Sequence, residues 1–151
     1  MQASSGRKQI LAVCYGNICR SPTAEALLQR ELRSAAMDSR WVAASAGVGA
    51  LTGHPAAPLA LQVAAENEVD LEAHRARQLT PEMATASDIV IALDEYVEDR
   101  ILDIAGDIAI ELWPVADPFG GPEPLYRHAF REIETHVLRF LRELRARELT
   151  E

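Results

Sequence analysis

The 151-residue chain has only two cysteines, Cys14 and Cys19, five positions apart. Such a pair is not the disulfide framework of a small secreted domain. Thiols persist in a reducing compartment, so a cytoplasmic protein is expected. No apolar run approaches the roughly 18 residues that cross a bilayer, which argues against membrane insertion. The opening stretch, MQASSGRKQI, carries a little positive charge but no long apolar segment, and is read as holding no signal peptide. Basic residues are also scarce. Fifteen Lys and Arg stand against 23 Asp and Glu, a formal net charge of −8. Phosphate backbones are bound by an excess of basic residues, so nucleic acid is not an expected partner. An anion site on this chain has to be built locally, from backbone N–H groups and a few placed cations. Neither an internal repeat nor a low-complexity tract interrupts the sequence.

What is present suggests one domain over residues 1–151, with 48% apolar residues to form its core. Strand-like runs are KQILAVC (8–14), WVAASA (41–46), DIVIAL (88–93) and IAIELW (108–113). The first and third are almost continuously apolar, as strands buried on both faces are. Helices are expected between and after them, over 22–35, 56–67, 81–86, 95–103 and 123–147. The first would have Ser21 as its N-cap and Pro22 as its first helical residue. In the last, Phe130, Ile133, Val137, Leu141 and Leu144 form one apolar stripe at spacings of three and four. Alternating strands and helices imply an α/β three-layer sandwich, with a four-stranded parallel sheet flanked by helices. Open sheets of this kind bind ligands at the carboxyl ends of their strands. Cys14 lies at such an end.

The segment CYGNICRS (14–21) links the first strand to the first helix. Gly16 and Asn17 are residue types that tolerate a left-handed backbone. A loop that curls in this way turns its N–H groups inward as an anion-binding nest. The following helix adds its positive dipole end, and Arg20 offers a planar fork to two phosphate oxygens. A cysteine at the bottom of such a cradle is favoured as the nucleophilic thiolate. A cysteine at a strand end is otherwise a small buried hydrophobe, and a C-x5-R spacing alone is weak. The strand–loop–helix context is what favours the nucleophile. Because both cysteines share one curled loop, reversible oxidation to a Cys14–Cys19 disulfide is also expected.

VCYGNICRSPTAEALL (13–28) resembles the phosphate loop of the low-molecular-weight protein tyrosine phosphatases. SAGVGALTGHPA (45–56), AHRARQLT (73–80) and ADPFGG (116–121) resemble three further segments of that family, in the family's order. The resemblance implies a bacterial-type member hydrolysing phosphotyrosine through a phosphocysteine intermediate, with no metal or cofactor. Cys14 would be the nucleophile and Arg20 the phosphate clamp. Ser21 would hydrogen-bond the sulfur, and Asp117 would act as general acid and then base. Tyr15, Gly16, Asn17, Ile18, Cys19, Leu51 and Phe119 would contact the phosphate or the substrate. Asn17, Ser45 and His74 would support the loop. The implied partner is a phosphotyrosine-containing protein, a bacterial tyrosine kinase being one candidate, and the implied state is a monomer or weak dimer. Taken on its own, Asp117-Pro118 can equally start a turn. His54, His128 and His136 are read as surface residues.

The chain departs from the family at several places. Phe119 is followed by Gly120, where many relatives carry a second aromatic. Ala57 stands where an aspartate is common, and Tyr15 replaces a smaller or aliphatic residue, so its ring can line the pocket mouth. Arsenate reductases share the loop but need cysteines downstream, and none follows Cys19. Protein-arginine phosphatases also carry DPFGG, so they remain the main alternative. They tend to have a threonine where this chain has Ile18, whose apolar bulk suits an aryl phosphate. A phosphate-binding module without catalysis would have lost Cys14 or Asp117, and both are present.

Overall fold

The computed structural model describes residues 6–150, so the first five positions of the stretch read for a signal peptide lie outside it. The elements follow in the order β1 (Lys8–Cys14), α1 (Arg20–Ser34), β2 (Trp41–Gly47), α2 (Pro58–Glu66), α3 (Pro81–Ala86), β3 (Ile89–Ala92), α4 (Glu95–Ala105), β4 (Glu111–Leu112) and α5 (Glu123–Thr150). The four strands form one sheet in the order β2-β1-β3-β4, and every pairing is parallel.

Side chains of β1 alternate between the two faces, as the period of a strand requires. Ile10, Ala12 and Cys14 enter a core shared with Leu27 and Leu28 of α1, Val63 of α2 and the apolar stripe of α5. Leu11 and Val13 enter a smaller core with Ala84 of α3 and with Val97 and Ile101 of α4. This double coverage is why β1 reads as an unbroken apolar run. The stripe expected on the last helix is buried at all five positions, with Phe140 added beside it.

Three local expectations need correction. The first helix starts at Arg20, so Ser21 is not its cap. Cys19 occupies the cap position without a side-chain cap bond, and Pro22 is the third helical residue. Pro is tolerated there because first-turn N–H groups have no intrahelical acceptor. The run 108–113 yields only a two-residue strand. Ile108 and Ile110 pack against the smaller core instead. Backbone bonds from Trp113 N to Ala92 O (2.8 Å) and from Val115 N to Leu93 O (2.9 Å) continue the pairing and aim the chain at Asp117. Finally, His54 and His128 are exposed, but His136 is half-buried and stacked on Trp113, with ring centroids 5.3 Å apart. Burial, and then the neighbouring Arg139, lower its pKa.

Phe140 meets Trp113 edge-on at 5.7 Å, and both rings are buried. Phe140→Ala is expected to cost about 3–5 kcal/mol of unfolding free energy, the usual range for a buried aromatic. Leu138→Ala, on the exposed side of the same helix, should stay within about 0.5 kcal/mol. Urea unfolding measures both. Equal losses would mean that the apolar stripe does not carry the packing.

Candidate active site

Parallel strands bring Cys14 of β1 and Gly47 of β2 level at one edge of the sheet, and the end of β3 lies beside them. The loop from Cys14 to Cys19 rises from that edge. Its carbonyl oxygens are all engaged from outside the loop. Val48 N donates to Cys14 O (3.0 Å), Gly49 N to Tyr15 O (2.9 Å), Leu51 N to Gly16 O (3.1 Å) and Ala57 N to Ile18 O (2.8 Å). Asn17 O is 2.7 Å from His74 Nε2. With successive carbonyls held outward, the N–H groups are left facing in. Those of Gly16, Ile18 and Cys19 donate to no protein acceptor among the described residues, and Asn17 N donates to the Cys14 sulfur at 3.3 Å. That is the electrostatics of a nest for an anion.

The left-handed residue in this loop is Asn17, with φ at 59°. Gly16 is not left-handed, contrary to the reading of its residue type. The glycine that the loop requires is Gly47. A Cβ there would stand 2.5 Å from Tyr15 O and 3.0 Å from Asn17 N.

Around the sulfur, counting hydrogens fixes the direction of each bond. Asn17 Nδ2 donates to Ser21 Oγ (2.8 Å) and to Ser45 Oγ (3.0 Å). Ser45 spends its own hydrogen on Glu25 Oε1 at 2.6 Å. Ser21 Oγ lies 2.9 Å from Cys14 Sγ and 3.4 Å from Ala46 O; in the ionised form that attacks, the sulfur has no hydrogen to give, so the Ser21 hydroxyl donates to it. Asn17 Oδ1 accepts from Arg77 N (2.9 Å), while Arg77 Nε donates to Ser45 O (2.8 Å). The result is a buried sulfur that receives two hydrogen bonds through a relay anchored on a carboxylate.

Arg20 is buried, and its guanidinium reaches the same cavity. One terminal nitrogen donates to Asp94 Oδ2 (2.7 Å) and Val115 O (2.8 Å). The other lies 3.6 Å from Asp117 Oδ2. Its Nε is buried without any hydrogen-bond partner. A buried donor left unpaired is costly, and an oxyanion in the cavity would satisfy it.

The cavity has a volume of about 210 Å³ and is lined by Cys14, Tyr15, Gly16, Ile18, Cys19, Arg20, Leu51, Asp117 and Phe119. Its base is polar, and its rim is apolar and exposed, with Tyr15 at 47%, Leu51 at 43% and Phe119 at 59%. Asp117 lines the same cavity as Cys14, its Oδ1 accepting from Phe119 N at 3.1 Å. Asn17, Ser21, Ser45 and His74 are outside the lining and act on the loop from behind. Cys19 lies under it. Burial, then the adjacent Cys14, push the Cys19 thiol up to about 12, so it stays protonated at neutral pH. A larger groove of about 520 Å³ lies between α1 and residues 68–74, but neither a cysteine nor a serine among the described residues lines it.

Four contributors were missed in the sequence: Asp94, Gly47, Arg77 and Glu25. Asp94 had a readable signal, being an acidic residue between an apolar strand and a helix whose first turn it caps, accepting from Val97 N at 2.7 Å. The other three act through backbone proximity or contacts made across the fold, and no local pattern marks them.

Residues 9–149 match the family model described as low molecular weight phosphotyrosine protein phosphatase. The probable low molecular weight protein-tyrosine-phosphatase EpsP of Ralstonia nicotianae is 34% identical over 147 residues, covering 92% of this chain and 97% of that protein. Vibrio vulnificus Wzb, solved in complex with benzylphosphonate, superposes with a TM-score of 0.83 at 30% identity, over 91% of this chain and 99% of that one. The YwlE arginine phosphatase, solved with a phosphorylated active-site serine, superposes with a TM-score of 0.85 at 28% identity, over 91% and 95%. The chain therefore belongs to the low molecular weight phosphotyrosine protein phosphatases, enzymes that hydrolyse phosphoric monoesters on protein tyrosines.

Proposed function

We propose that residues 1–151 form one phosphatase domain, which cleaves phosphotyrosine by double displacement at Cys14. The observation that carries this reading is the arrangement at the base of the cavity. A sulfur receiving two hydrogen bonds lies among inward N–H groups and an unpartnered Arg20 Nε. In the first step the Cys14 sulfur attacks phosphorus and the bond to the phenolic oxygen breaks. Asp117 gives its proton to that oxygen. In the second step Asp117 takes a proton from water as the water attacks phosphorus. The sulfur–phosphorus bond breaks, inorganic phosphate leaves, and the Ser21 hydroxyl stabilises the departing thiolate. Arg20 and the loop N–H groups hold the equatorial oxygens throughout. This is covalent catalysis combined with acid–base and electrostatic catalysis, and it needs neither metal nor cofactor.

The substrate we propose is a phosphotyrosine-containing protein in the cytoplasm, a bacterial tyrosine kinase being one candidate. The apolar rim of Tyr15, Leu51 and Phe119 suits an aryl group, as does the benzyl group in the Wzb complex. No helix among the described residues is long and apolar enough to cross a membrane. A monomer or weak dimer is sufficient, because one chain supplies every group in the mechanism.

Phosphoarginine is the second reading. The DPFGG segment and the likeness to YwlE favour it. Ile18 weighs against it, since it lines the cavity without a hydroxyl to place beside a substrate nitrogen. Paired assays of phosphotyrosine and phosphoarginine peptides decide between the two, and faster cleavage of phosphoarginine would reverse our assignment.

Three outcomes test the roles. Cys14→Ser should show no steady hydrolysis of 4-nitrophenyl phosphate yet still bind vanadate by calorimetry, because the cradle survives. Steady turnover by that variant would remove Cys14 from the chemistry. Asp117→Asn should lower kcat by about 10²–10⁴, the usual contribution of a general acid. That loss should shrink for esters with good leaving groups. An identical loss across leaving groups would rule out proton donation. Mild peroxide should convert the Cys14 thiolate to a sulfenic acid with loss of hydroxide. The Cys19 thiol then displaces water to close a disulfide. Reductant should restore wild-type activity far better than that of Cys19→Ser. The protective role fails if both recover equally, or if mass spectrometry finds no internal link.

A further inference from the structure

The rim of the cavity does not end at Tyr15. The Tyr15 ring is set between two supports. On one side is Gly49, where a Cβ would stand 2.7 Å from Tyr15 Cζ. On the other is Tyr96, in the first turn of α4, with ring centroids 6.1 Å apart and planes inclined by 40°. Tyr15 is thus held as a wall of the cavity, and Tyr96 extends that wall onto the outer surface. Tyr96 is 55% exposed on the solvent face of α4. Arg100 donates to its hydroxyl at 3.2 Å, which steadies the ring by its edge.

The surroundings of Tyr96 are acidic. Between Asp94 and Asp103 there are five carboxylates and one arginine. Asp94 is taken by Arg20, and Asp103 lies 4.0 Å from Arg100. Glu95 and Asp99 are exposed and have no ion-pair partner among the described residues. Asp99 is three residues from Tyr96 and shares its side of the helix. An exposed aromatic ring beside unpaired carboxylates attracts an ammonium or guanidinium group through cation–π and Coulombic attraction.

Resting on the phosphotyrosine reading of the cavity, we propose that Tyr96 with Asp99 and Glu95 forms a subsite for a basic residue flanking the phosphotyrosine of the substrate. The spacing bounds which residue. Tyr96 adjoins Tyr15 of the cavity wall, with ring centroids 6.1 Å apart, so the side chain it meets is close in sequence to the phosphotyrosine, and two positions on either side span about 7 Å of extended chain. The enzyme therefore prefers lysine or arginine there, and it disfavours the acidic flanks that the carboxylates of α4 would repel.

The test is steady-state kinetics on phosphotyrosine peptides identical except for Arg, Tyr, Gly or Glu at each of the two positions on either side. 4-Nitrophenyl phosphate serves as a substrate without flanks. The wild type should favour Arg over Gly by about three- to tenfold in kcat/KM at one of these positions, the size of an exposed cation–π contact plus a surface ion pair. The difference should lie in KM and shrink as salt is raised. Tyr96→Ala should erase the Arg-over-Gly ratio, a ratio in which any effect of the lost Tyr15 support on the cavity itself, read from 4-nitrophenyl phosphate, cancels. Asp99→Asn should reduce the penalty for Glu without touching kcat. A wild type indifferent to its flanks, one preferring Glu or Tyr to Arg, or a preference that survives Tyr96→Ala would each overturn the subsite alone. A wild type inactive on 4-nitrophenyl phosphate would overturn the phosphatase reading and the subsite with it.

Discussion

The site depends on the outward pull on the carbonyls of residues 14–18. A loop of L-residues does not turn successive N–H groups to one side unless something holds the opposing oxygens. Here the holders are backbone N–H groups of Val48, Gly49, Leu51 and Ala57, together with the ring of His74. They come from the segment after β2, the approach to α2 and the loop before α3. The sheet order makes this possible, because β1 lies directly beside β2 in register from Lys8 and Trp41 to Cys14 and Gly47. Packing of α1 against β2 and α5 then fixes the far end of the loop. The cradle is therefore a tertiary object, although its residues are contiguous.

The same constraint explains how an acidic protein holds a phosphate group. With a net charge of −8, the field of the whole chain opposes the substrate. Local dipoles have to prevail, and they do so best where water is excluded and the donors need not reorganise. Among the described residues, Arg20 is the one full positive charge lining the cavity. Burying it is costly unless it is paired. Asp94 and two backbone carbonyls supply that pairing and aim the guanidinium, while Nε is left without a partner. The incomplete pairing matters for function. An arginine with every donor satisfied by protein would have nothing left to offer an oxyanion.

How much of this was legible in the sequence follows from the range of each interaction. β1 and α5 were readable because burial on two faces, or along one stripe, leaves a periodic mark. The phosphate loop was readable because its cysteine, arginine and serine serve one ligand within eight residues. Of the two tasks expected of Ser21, the hydrogen bond to the sulfur that the resemblance implied is present and the helix cap is not. A serine before a proline at a helix start is a good cap by local rules, and only the position of the Cys14 sulfur shows where its hydrogen goes. Gly16 was over-read and Gly47 passed over on the same principle. Residue type shows that a left-handed backbone is tolerated, but not that another backbone passes 2.5 Å from where a Cβ would be. His136 looked like a surface histidine because nothing in the sequence places it over Trp113. The run 108–113 misled in the other direction, since Ile108 and Ile110 serve the α4 side of the core more than the sheet.

The base and the rim of the cavity differ in what constrains them. Beneath the rim, Cys14, Asn17, Ser21 and Ser45 are buried and bonded to one another, and the buried Arg20 is bonded to Asp94, so changing one leaves another donor or acceptor unpaired. Such changes cost stability and chemistry together. At the rim, Tyr15, Leu51 and Phe119 are about half exposed and carry little of the packing. They can vary without disturbing the donors beneath. Phosphoryl transfer therefore resides in the part of the molecule that tolerates least substitution. Recognition of the group that carries the phosphate resides in the part that tolerates most. Two departures of this chain from its family, Tyr15 and the single aromatic at Phe119, lie on the rim, whereas the third, Ala57, is buried behind the loop, where its N–H holds Ile18 O.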